Sequence, residues 1–225
     1  MKTFLKCTAL ASSLLLAACS TNKGSFDYGN FQQAKPRSIL VLMPTDNTNE
    51  VKAGPAVLAH ATRPLAEAGY YVFPSALVNE TFKHNGLTQA QEIQNVNPQK
   101  LQQIFGADAA LYINVENYGV QYQILDSVTK VEVQGKLVDL RTGKELWSGK
   151  GYADSNDASN ANVNSGNPIV TLIAAAVKHI VNEVSDQGYK VAAFADARLL
   201  GSGYNGGLLY GPYNPKYGND PQLRK

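Results

Sequence analysis

Residues 97–119, NPQKLQQIFGADAALYINVENYG, decide the fold that the chain adopts. The dipeptide Asn97-Pro98 is typical of a helix start, because Asn caps free backbone N–H groups and proline suits the first helical position. Three apolar residues recur at helical spacing after it, and Gly106 ends the helix. These apolar residues are Leu101, Ile104 and Phe105.

A strand follows this helix directly. Leu111, Ile113 and Val115 alternate with the polar residues Asn114 and Glu116, and a period of two is typical of a strand with one buried face. The stretch therefore predicts a helix packed against a sheet.

The chain upstream predicts a β-α-β unit. Residues 38–44, SILVLMP, form a continuous apolar run that suits a buried strand. Apolar residues at helical spacing over 55–68 predict a helix that Pro64 kinks or divides and that ends at Gly69. Residues 70–74, YYVFP, predict a second buried strand, parallel to the first.

The chain downstream predicts an antiparallel meander. Residues 120–126 and 130–140 are predicted strands, and a turn at 141–144 leads into 145–152, which completes a hairpin. Gly143 is expected at a positive φ in this turn, because glycine adopts such angles at little steric cost.

The remaining segments predict helices and loops around the sheet. Helices are expected at 75–83, 167–185 and 188–199, with a loose loop at 84–94 and a mobile polar loop at 153–167.

The overall prediction is one α/β domain over residues 38–200. It contains a mixed β-sheet with an antiparallel meander, helices packed on the sheet faces, and an extended C-terminal tail over 201–225.

The N-terminus carries the pattern of a bacterial secretory signal. Lys2 and Lys6 precede the apolar run 7–18, which is too short for a membrane-spanning helix of about 20 residues. The run ends in Leu16–Cys19, which resembles the lipobox of bacterial lipoproteins. That resemblance implies removal of the signal peptide, residues 1–18, and attachment of lipid to Cys19, with palmitate among the acyl chains. The alternative is an ordinary cleaved signal with an incidental cysteine.

The residues after the cysteine indicate a tether and a destination. Residues 19–37 are predicted to be the lipidated Cys19 followed by a flexible tether, whose sixteen residues up to Lys35 would span about 20–25 Å as a coil. Ser20 stands where bacterial lipoproteins retained in the inner membrane carry Asp, so the outer membrane is the expected location. The domain is expected in the periplasm, with exposure at the cell surface left open.

Charge and cysteine content exclude other classes of function. The chain has 20 basic and 18 acidic residues, and loss of Lys2 and Lys6 with the signal leaves a net charge of zero. Nothing in this balance favours nucleic acid binding. Cys7 leaves with the signal and Cys19 carries the lipid, so no structural disulfide is expected.

Short matches to catalytic motifs lack the structural context that the chemistry needs. Residues 201–206 match the GxGxxG of dinucleotide sites but lie in the tail, without a strand before them and a helix after them. Residues 127–130 match the SxxK of penicillin-binding enzymes, and 141–143 resembles their basic-Thr-Gly, yet these fall on a predicted strand and a turn. We therefore expect no catalytic residues and no enzymatic activity.

Metal and cofactor sites have equally little support. Residues 154–157 resemble the start of a calcium loop but lack its later ligands. Trp147 is expected to be a core or interface anchor. The scattered histidines, which suggest no zinc site, are His60, His84 and His179.

The C-terminal tail is rich in tyrosine, glycine and proline. Its prolines exclude a central strand, and its aromatic content is unusual for a disordered segment. Two interpretations stay open: the tail covers the domain's own surface, or it contacts a partner. The candidate contact residues are Tyr204, Leu208, Leu209, Tyr210, Tyr213 and Tyr217.

The chain resembles a family of bacterial outer-membrane lipoproteins related to the neisserial lipoprotein vaccine candidate. The resemblance covers nearly the whole chain, and its motifs occur in order after the lipobox. They are KPRSILVLMP (35–44), PLAEAGYYVFP (64–74), residues 97–119, LVDLRTGKELWSG (137–149) and YNGGLLYGPYNPKYG (204–218). At the level of fold, residues 97–115 are also similar to the N-terminal domain of TolB and to LpoB-type domains.

The resemblance implies a membrane-anchored protein with protein partners. Genes of this family often neighbour that of a CsgG-like lipoprotein, which implies a non-enzymatic subunit or accessory factor of a cell-envelope assembly. The alternative is an LpoB-like regulator that docks onto a peptidoglycan synthase. The partner's identity and homo-oligomerisation stay open.

Replacement of Cys19 by Ala tests the anchor. We expect the variant to accumulate as an unlipidated precursor, because only a thiol can accept the lipid. Mass spectrometry of the membrane-extracted wild-type protein is expected to show an acylated N-terminal cysteine. A free thiol at Cys19 in that material would contradict the assignment.

Overall fold

The structure is a computed structural model that describes residues 26–122, 127–159 and 186–224. The signal peptide, Cys19 and the predicted helix at 167–185 lie outside these described residues.

Six strands form one mixed sheet in the order β3-β1-β4-β5-β6, with the short β2 paired beside β1 on β4. Strand β1 pairs in parallel with β3 and with β4, and β2 pairs in parallel with β4. Strands β4, β5 and β6 form an antiparallel meander. The strands are β1 (Ser38–Val41), β2 (Thr45–Asp46), β3 (Tyr71–Val72), β4 (Ala109–Tyr122), β5 (Ser127–Asp139) and β6 (Glu145–Asp154).

Seven α-helices and a short 3-10 helix at Pro221–Leu223 accompany the sheet in the described ranges. The α-helices are α1 (Gly29–Ala34), α2 (Ala53–Glu67), α3 (Ser75–His84), α4 (Ala90–Gln94), α5 (Pro98–Phe105), α6 (Ser155–Ser159) and α7 (Gln187–Leu199).

Strand β4 joins the parallel and antiparallel halves of the sheet. Its first residues pair with β1 on one side and with the end of β5 on the other. Asp108, immediately before β4, accepts hydrogen bonds from Arg37 N (2.9 Å) and Ser38 N (3.2 Å), and so fixes the start of β1. The predicted helix start before β4 is confirmed, because the Asn97 side chain accepts from Gln99 N at 2.9 Å.

Helices cover the two sheet faces in two separate clusters. Helices α2 and α7, with α1 and part of the tail, pack on one face together with most of the buried strand residues. Helices α3, α4 and α5 pack on the other face, over β1 and the start of β4. Gly151 of β6 allows α7 to lie close, because a Cβ there would overlap the carbonyl oxygen of Ala195.

The β5–β6 hairpin confirms the predicted turn. Gly143 has φ 73°, and its N–H donates to Asp139 O at 2.8 Å. The Asp139 carboxylate closes the turn from within, accepting from the backbone N–H of Arg141 (2.9 Å) and Thr142 (2.8 Å). It also accepts from the Arg141 guanidinium at 3.0 Å. Although burial opposes it, these hydrogen bonds lower the pKa of Asp139.

The parallel β-α-β unit is confirmed, but three details differ from the sequence predictions. Strand β3 is a short edge strand rather than a buried one, and Tyr71 is 53% exposed. Helix α2 continues through Pro64 as one element, so Pro64 does not divide it. Part of the predicted loop at 84–94 is helix α4, because Ile93 packs into the second cluster.

The segment after β6 also differs from its prediction. Residues 153–167 were expected to be a loop, whereas β6 reaches Asp154 and helix α6 follows at once. The Asp157 carboxylate forms a bidentate ion pair with Arg198 (2.7 and 2.8 Å), which ties this helix to α7.

The boundary of the tether differs from the expectation as well. Within the predicted tether, Tyr28 and Phe31 are each only 3% exposed and belong to the core. Residues 26–37 are therefore part of the folded domain. An apolar residue every third position was too short a pattern to predict helix α1.

Three buried ionisable side chains in the described part of the chain lack a full set of hydrogen bonds: His60, Tyr118 and Asp196. Both carboxylate oxygens of Asp196 on α7 are fully buried and have no partner, and burial raises the pKa of this residue well above its usual value. The His60 Nε2 is also unpartnered, and burial lowers the pKa of His60 to about 4. His60 is therefore neutral at physiological pH, and burial disfavours the charged form of Asp196.

Replacement of Asp139 by Asn tests the hairpin. We expect a loss of about 1.5–3 kcal/mol in the free energy of unfolding at pH 7, because bonds to an ionised acceptor are lost. The pKa is lowered on folding, so this contribution is present above about pH 4 and disappears as pH falls through the folded pKa. Denaturant titrations at several pH values measure it. The control Glu132→Gln is expected to stay within about 0.5 kcal/mol, and equal effects of the two changes would contradict the role of Asp139.

Replacement of Asp196 by Asn tests the buried acid. Its raised pKa makes the wild-type domain lose stability as pH rises above the unfolded value of about 3.9, until the folded pKa is reached. The variant has no such loss, so its advantage is expected to grow by up to about 1.36 kcal/mol per pH unit in that interval. Denaturant titrations from acidic to mildly alkaline pH measure the difference. Parallel stability curves for the two proteins would show that Asp196 ionises freely.

Candidate functional site

The first part of the C-terminal tail is bound to the domain by aromatic donors. One donor lies in β6, one immediately before α1 and one immediately before β3, and each binds a backbone carbonyl of the segment 206–209. Trp147 Nε1 donates to Gly206 O (2.8 Å), Tyr28 OH to Gly207 O (2.7 Å), and Tyr70 OH to Leu209 O (2.6 Å). Trp147 is thus a core anchor, as predicted, and its indole N–H serves the tail.

The predicted contact residues fall into an inner and an outer group. Leu208 and Leu209 are buried in the core, and Tyr204 is half-buried with its hydroxyl donating to Arg198 O. Tyr210 is also half-buried, with Lys216 Nζ 5.6 Å from its ring centroid. These four residues are the inner group, and they pack on the domain itself.

The outer group consists of Tyr213 and Tyr217, which are 69% and 44% exposed. Their backbone is nevertheless fixed: Tyr213 N donates to Gly69 O at 3.0 Å, and Asn214 Nδ2 donates to Glu67 O at 2.9 Å. Two exposed phenol rings therefore stand on a backbone that is tied to the end of α2. We call Tyr213 and Tyr217 the outer tyrosines.

A buried acid supports this arrangement. The Asp220 carboxylate accepts from Tyr210 N at 2.6 Å, and burial raises the pKa of Asp220 despite that bond. Burial, together with the nearby Asp220 and Tyr217, raises the pKa of Tyr70 well above its usual value. Tyr70 therefore remains a hydrogen-bond donor to the tail at any physiological pH.

A second candidate site, which the sequence did not predict, is a groove over β4, β5 and β6, on the part of the sheet that α3, α4 and α5 leave uncovered. Its volume is about 520 Å³. Lys136 Nζ lies 5.3 Å above the ring of Tyr112 in its wall. The other polar side chains of the lining are Gln94, Asn114, Gln134, Glu145, Ser148 and Lys150. The polar residues at outward positions of β4 and β5 were the only sequence feature that could have indicated this groove. Alternation of polar and apolar residues does not show whether helices cover the polar face.

The groove can bind through hydrogen bonds but offers little for catalysis. The lining contains amides, lysines, the hydroxyls of Ser148 and Tyr112 and one carboxylate, and no histidine or cysteine. Ser148 has no hydrogen bond to a base among the described side chains that face the groove, so a nucleophile–base pair is not formed there.

The motif matches take the positions that the sequence predicted for them. Residues 127–130 lie in β5, and 141–143 lie in the hairpin turn. Residues 201–206 follow helix α7 and include the loop that Trp147 holds. In the described ranges, no three acidic, histidine or cysteine side chains come together as a metal site. None of the helices described has the length and apolarity to cross a membrane.

Comparison with known proteins gives three findings. Residues 26–213 match the family model described as "Putative lipoprotein GNA1162-like". The chain is 50% identical over 204 residues to the "Putative lipoprotein NMB1124/NMB1162" of Neisseria meningitidis serogroup B, covering 90% of this chain and 93% of the relative. The crystal structure of lipoprotein GNA1162 from Neisseria meningitidis matches with 51% identity and a TM-score of 0.52, covering 66% of this chain and all of that one.

A more distant match is the C-terminal domain of LpoB from Escherichia coli. It is 19% identical, covers 62% of this chain and 90% of that one, and has a TM-score of 0.37. A likeness this weak does not indicate a shared function. The family match and the neisserial relative agree over almost the whole described chain, and on these two findings the chain belongs to the GNA1162-like lipoprotein family.

Proposed function

We propose that the protein is a lipid-anchored outer-membrane lipoprotein that works without catalysis, as a subunit or accessory factor of a cell-envelope assembly with a CsgG-like lipoprotein. Membership of a lipoprotein family supports the anchor at Cys19. Ser20, in place of Asp, supports delivery to the outer membrane.

The observation that carries the binding role is the exposure of the outer tyrosines on a fixed backbone. Tyrosine offers a large contact area with few rotamers to immobilise, so a pre-ordered pair binds at low entropic cost. The inner group and segment 206–209 are already bound to the domain, which donates hydrogen bonds to the carbonyls of Gly206, Gly207 and Leu209. The outer tyrosines are thus the part of the tail that is left for a partner.

The chemistry of the described residues supports a role without catalysis. The groove has donors and acceptors but no nucleophile–base pair, and the buried acid Asp196 is sealed from solvent. A protein that binds a partner through exposed side chains on a rigid domain needs neither a nucleophile–base pair nor a solvent-accessible acid.

The test is a double replacement, Tyr213→Ser with Tyr217→Ser, in the full-length protein within its own envelope. Interface tyrosines typically cost 1 kcal/mol or more each when truncated, so recovery of a crosslinked CsgG-like lipoprotein is expected to fall about tenfold or more. The melting temperature is expected to stay close to wild type, since exposed side chains contribute about 0.5 kcal/mol or less.

The matched control replaces two exposed apolar side chains of the meander, Val120→Ser with Tyr152→Ser. This control is expected to recover the partner at the wild-type level. Equal recovery from both double variants would reject the outer tyrosines as a contact. Recovery of a peptidoglycan synthase in place of the lipoprotein would favour an LpoB-like regulator.

A further inference from the structure

The folded domain begins close to the proposed lipid. Phe26 follows Cys19 by only seven positions, and a chain of this length spans at most about 25 Å when fully extended. As a flexible coil they span about 15 Å. Since residues 26–37 belong to the domain, no longer tether is available. The domain therefore stays within a short distance of the surface that holds the lipid.

The point at which this connection enters the domain is fixed by contacts. The rings of Phe26 and Tyr28 lie 4.7 Å apart between centroids, and both pack on the main core. Tyr28 in turn binds Gly207 O at 2.7 Å. The connection therefore emerges beside the loop at 203–207.

Several segments of the domain share this end of the sheet. Asn30 Nδ2 donates to Glu145 O (3.1 Å), and Arg141 Nη2 donates to Ala34 O (3.0 Å), so α1 lies against the hairpin turn. The start of β4 pairs with the end of β5 next to that turn. We call this region the anchor end; it comprises residues 26–37, the turn 139–145, the loop 201–207 and the start of β1.

The opposite end of the sheet lies far from the anchor. Along β4, Gln121 is twelve residues beyond Ala109, which corresponds to about 40 Å at roughly 3.3 Å per residue. Val51 and Val120, exposed by 90% and 54%, lie on the segments that meet near Gly119 at this far end.

The outer tyrosines lie near the anchor end. Tyr213 is bonded to Gly69, two residues before Tyr71, and Tyr71 pairs with Ser38, the first residue of β1. The ring of Tyr217 is close enough to Tyr70 to affect its pKa. A partner that reaches the outer tyrosines therefore meets the protein close to the level at which its chain joins the lipid.

The charges of the anchor end are compatible with a phospholipid surface. Lys35 and Lys144 are exposed there, and neither forms an ion pair with the residues that the structure describes. Asp27 and Glu145 are also exposed, so the net attraction to lipid phosphates is small. The short connection contributes more than this charge, because its reach of at most about 25 Å is less than the roughly 40 Å length of β4 and so keeps the anchor end near the surface.

From these observations we propose that the anchor end faces the phospholipid surface and that the long axis of β4 points away from it. This orientation rests on the proposed lipid anchor and extends it. The outer tyrosines then lie on the membrane-proximal side, where the fitting partner is a protein anchored in the same membrane.

Contact quenching in vesicles tests this orientation. The full-length protein is purified with its lipid and placed in vesicles of phosphatidylethanolamine and phosphatidylglycerol that carry a nitroxide on some headgroups. Cys19 is blocked by the lipid and Cys7 is removed with the signal, so a single introduced cysteine can be labelled with a fluorophore. The paired variants are Asn205→Cys at the anchor end and Gln121→Cys at the far end, both at exposed positions.

We expect the label at residue 205 to lose fluorescence in nitroxide vesicles and the label at residue 121 to match nitroxide-free vesicles. Insertion of about twenty Gly and Ser residues between Asn22 and Lys23 roughly doubles the coil reach and is expected to weaken quenching at residue 205. Vesicle flotation is measured on the same samples. Failure to float would overturn the lipid anchor and the orientation together. Flotation with equal or stronger quenching at residue 121 would overturn the orientation alone.

Discussion

Strand β4 is the constraint on which the rest of the structure depends. It is the strand that joins the parallel and antiparallel halves, so its register fixes β1 and β2 on one side and β5 on the other. A slip of one residue would exchange its two faces, placing buried apolar residues such as Leu111 and Val115 where Asn114 lies. Asp108 opposes such a slip, because its carboxylate binds the backbone N–H groups at the start of β1. The lengths of β4 and β5 also give the domain its long axis.

The two ends of the described chain close over the same sheet face. Helix α1 at the beginning and segment 206–209 near the end both pack on the core formed with α2 and α7. Tyr28 connects them directly, while Trp147 and Tyr70 hold the later segment from the sheet side. Because buried hydroxyl and indole groups must find acceptors, these rings fix the path of a glycine-rich segment that has no regular structure of its own. The same closure determines where the chain before Phe26 enters the domain and where the outer tyrosines stand.

Periodicity predicted the parts of the fold in which one element alone shows its pattern. The Asn97 cap, the alternation after Leu111 and the turn at Gly143 are local features, and the structure confirms them. Features that depend on tertiary contacts were not predictable in this way. Helix α1 is too short for a clear period, and strand β3 is an edge because of its neighbours rather than its composition. At the candidate site, the tail composition indicated contact, but only the path of segment 206–209 separates the inner group from the outer tyrosines. The groove depends on which part of the sheet the helices leave uncovered, and this cannot be predicted from the pattern of any single segment.

The hydrogen bond between Tyr28 and Gly207 joins residues that are 179 positions apart. Closing a loop of that length costs about 4–5 kcal/mol in chain entropy, so this contact forms late, after the local pairing of the meander. A chain synthesised from its N-terminus contains Tyr28 and Phe31 long before segment 206–209 has been made. Any product that lacks the final segment keeps these rings and Trp147 exposed to chaperones and proteases. The closure of the two ends thus makes the burial of this aromatic surface depend on segment 206–209 being present.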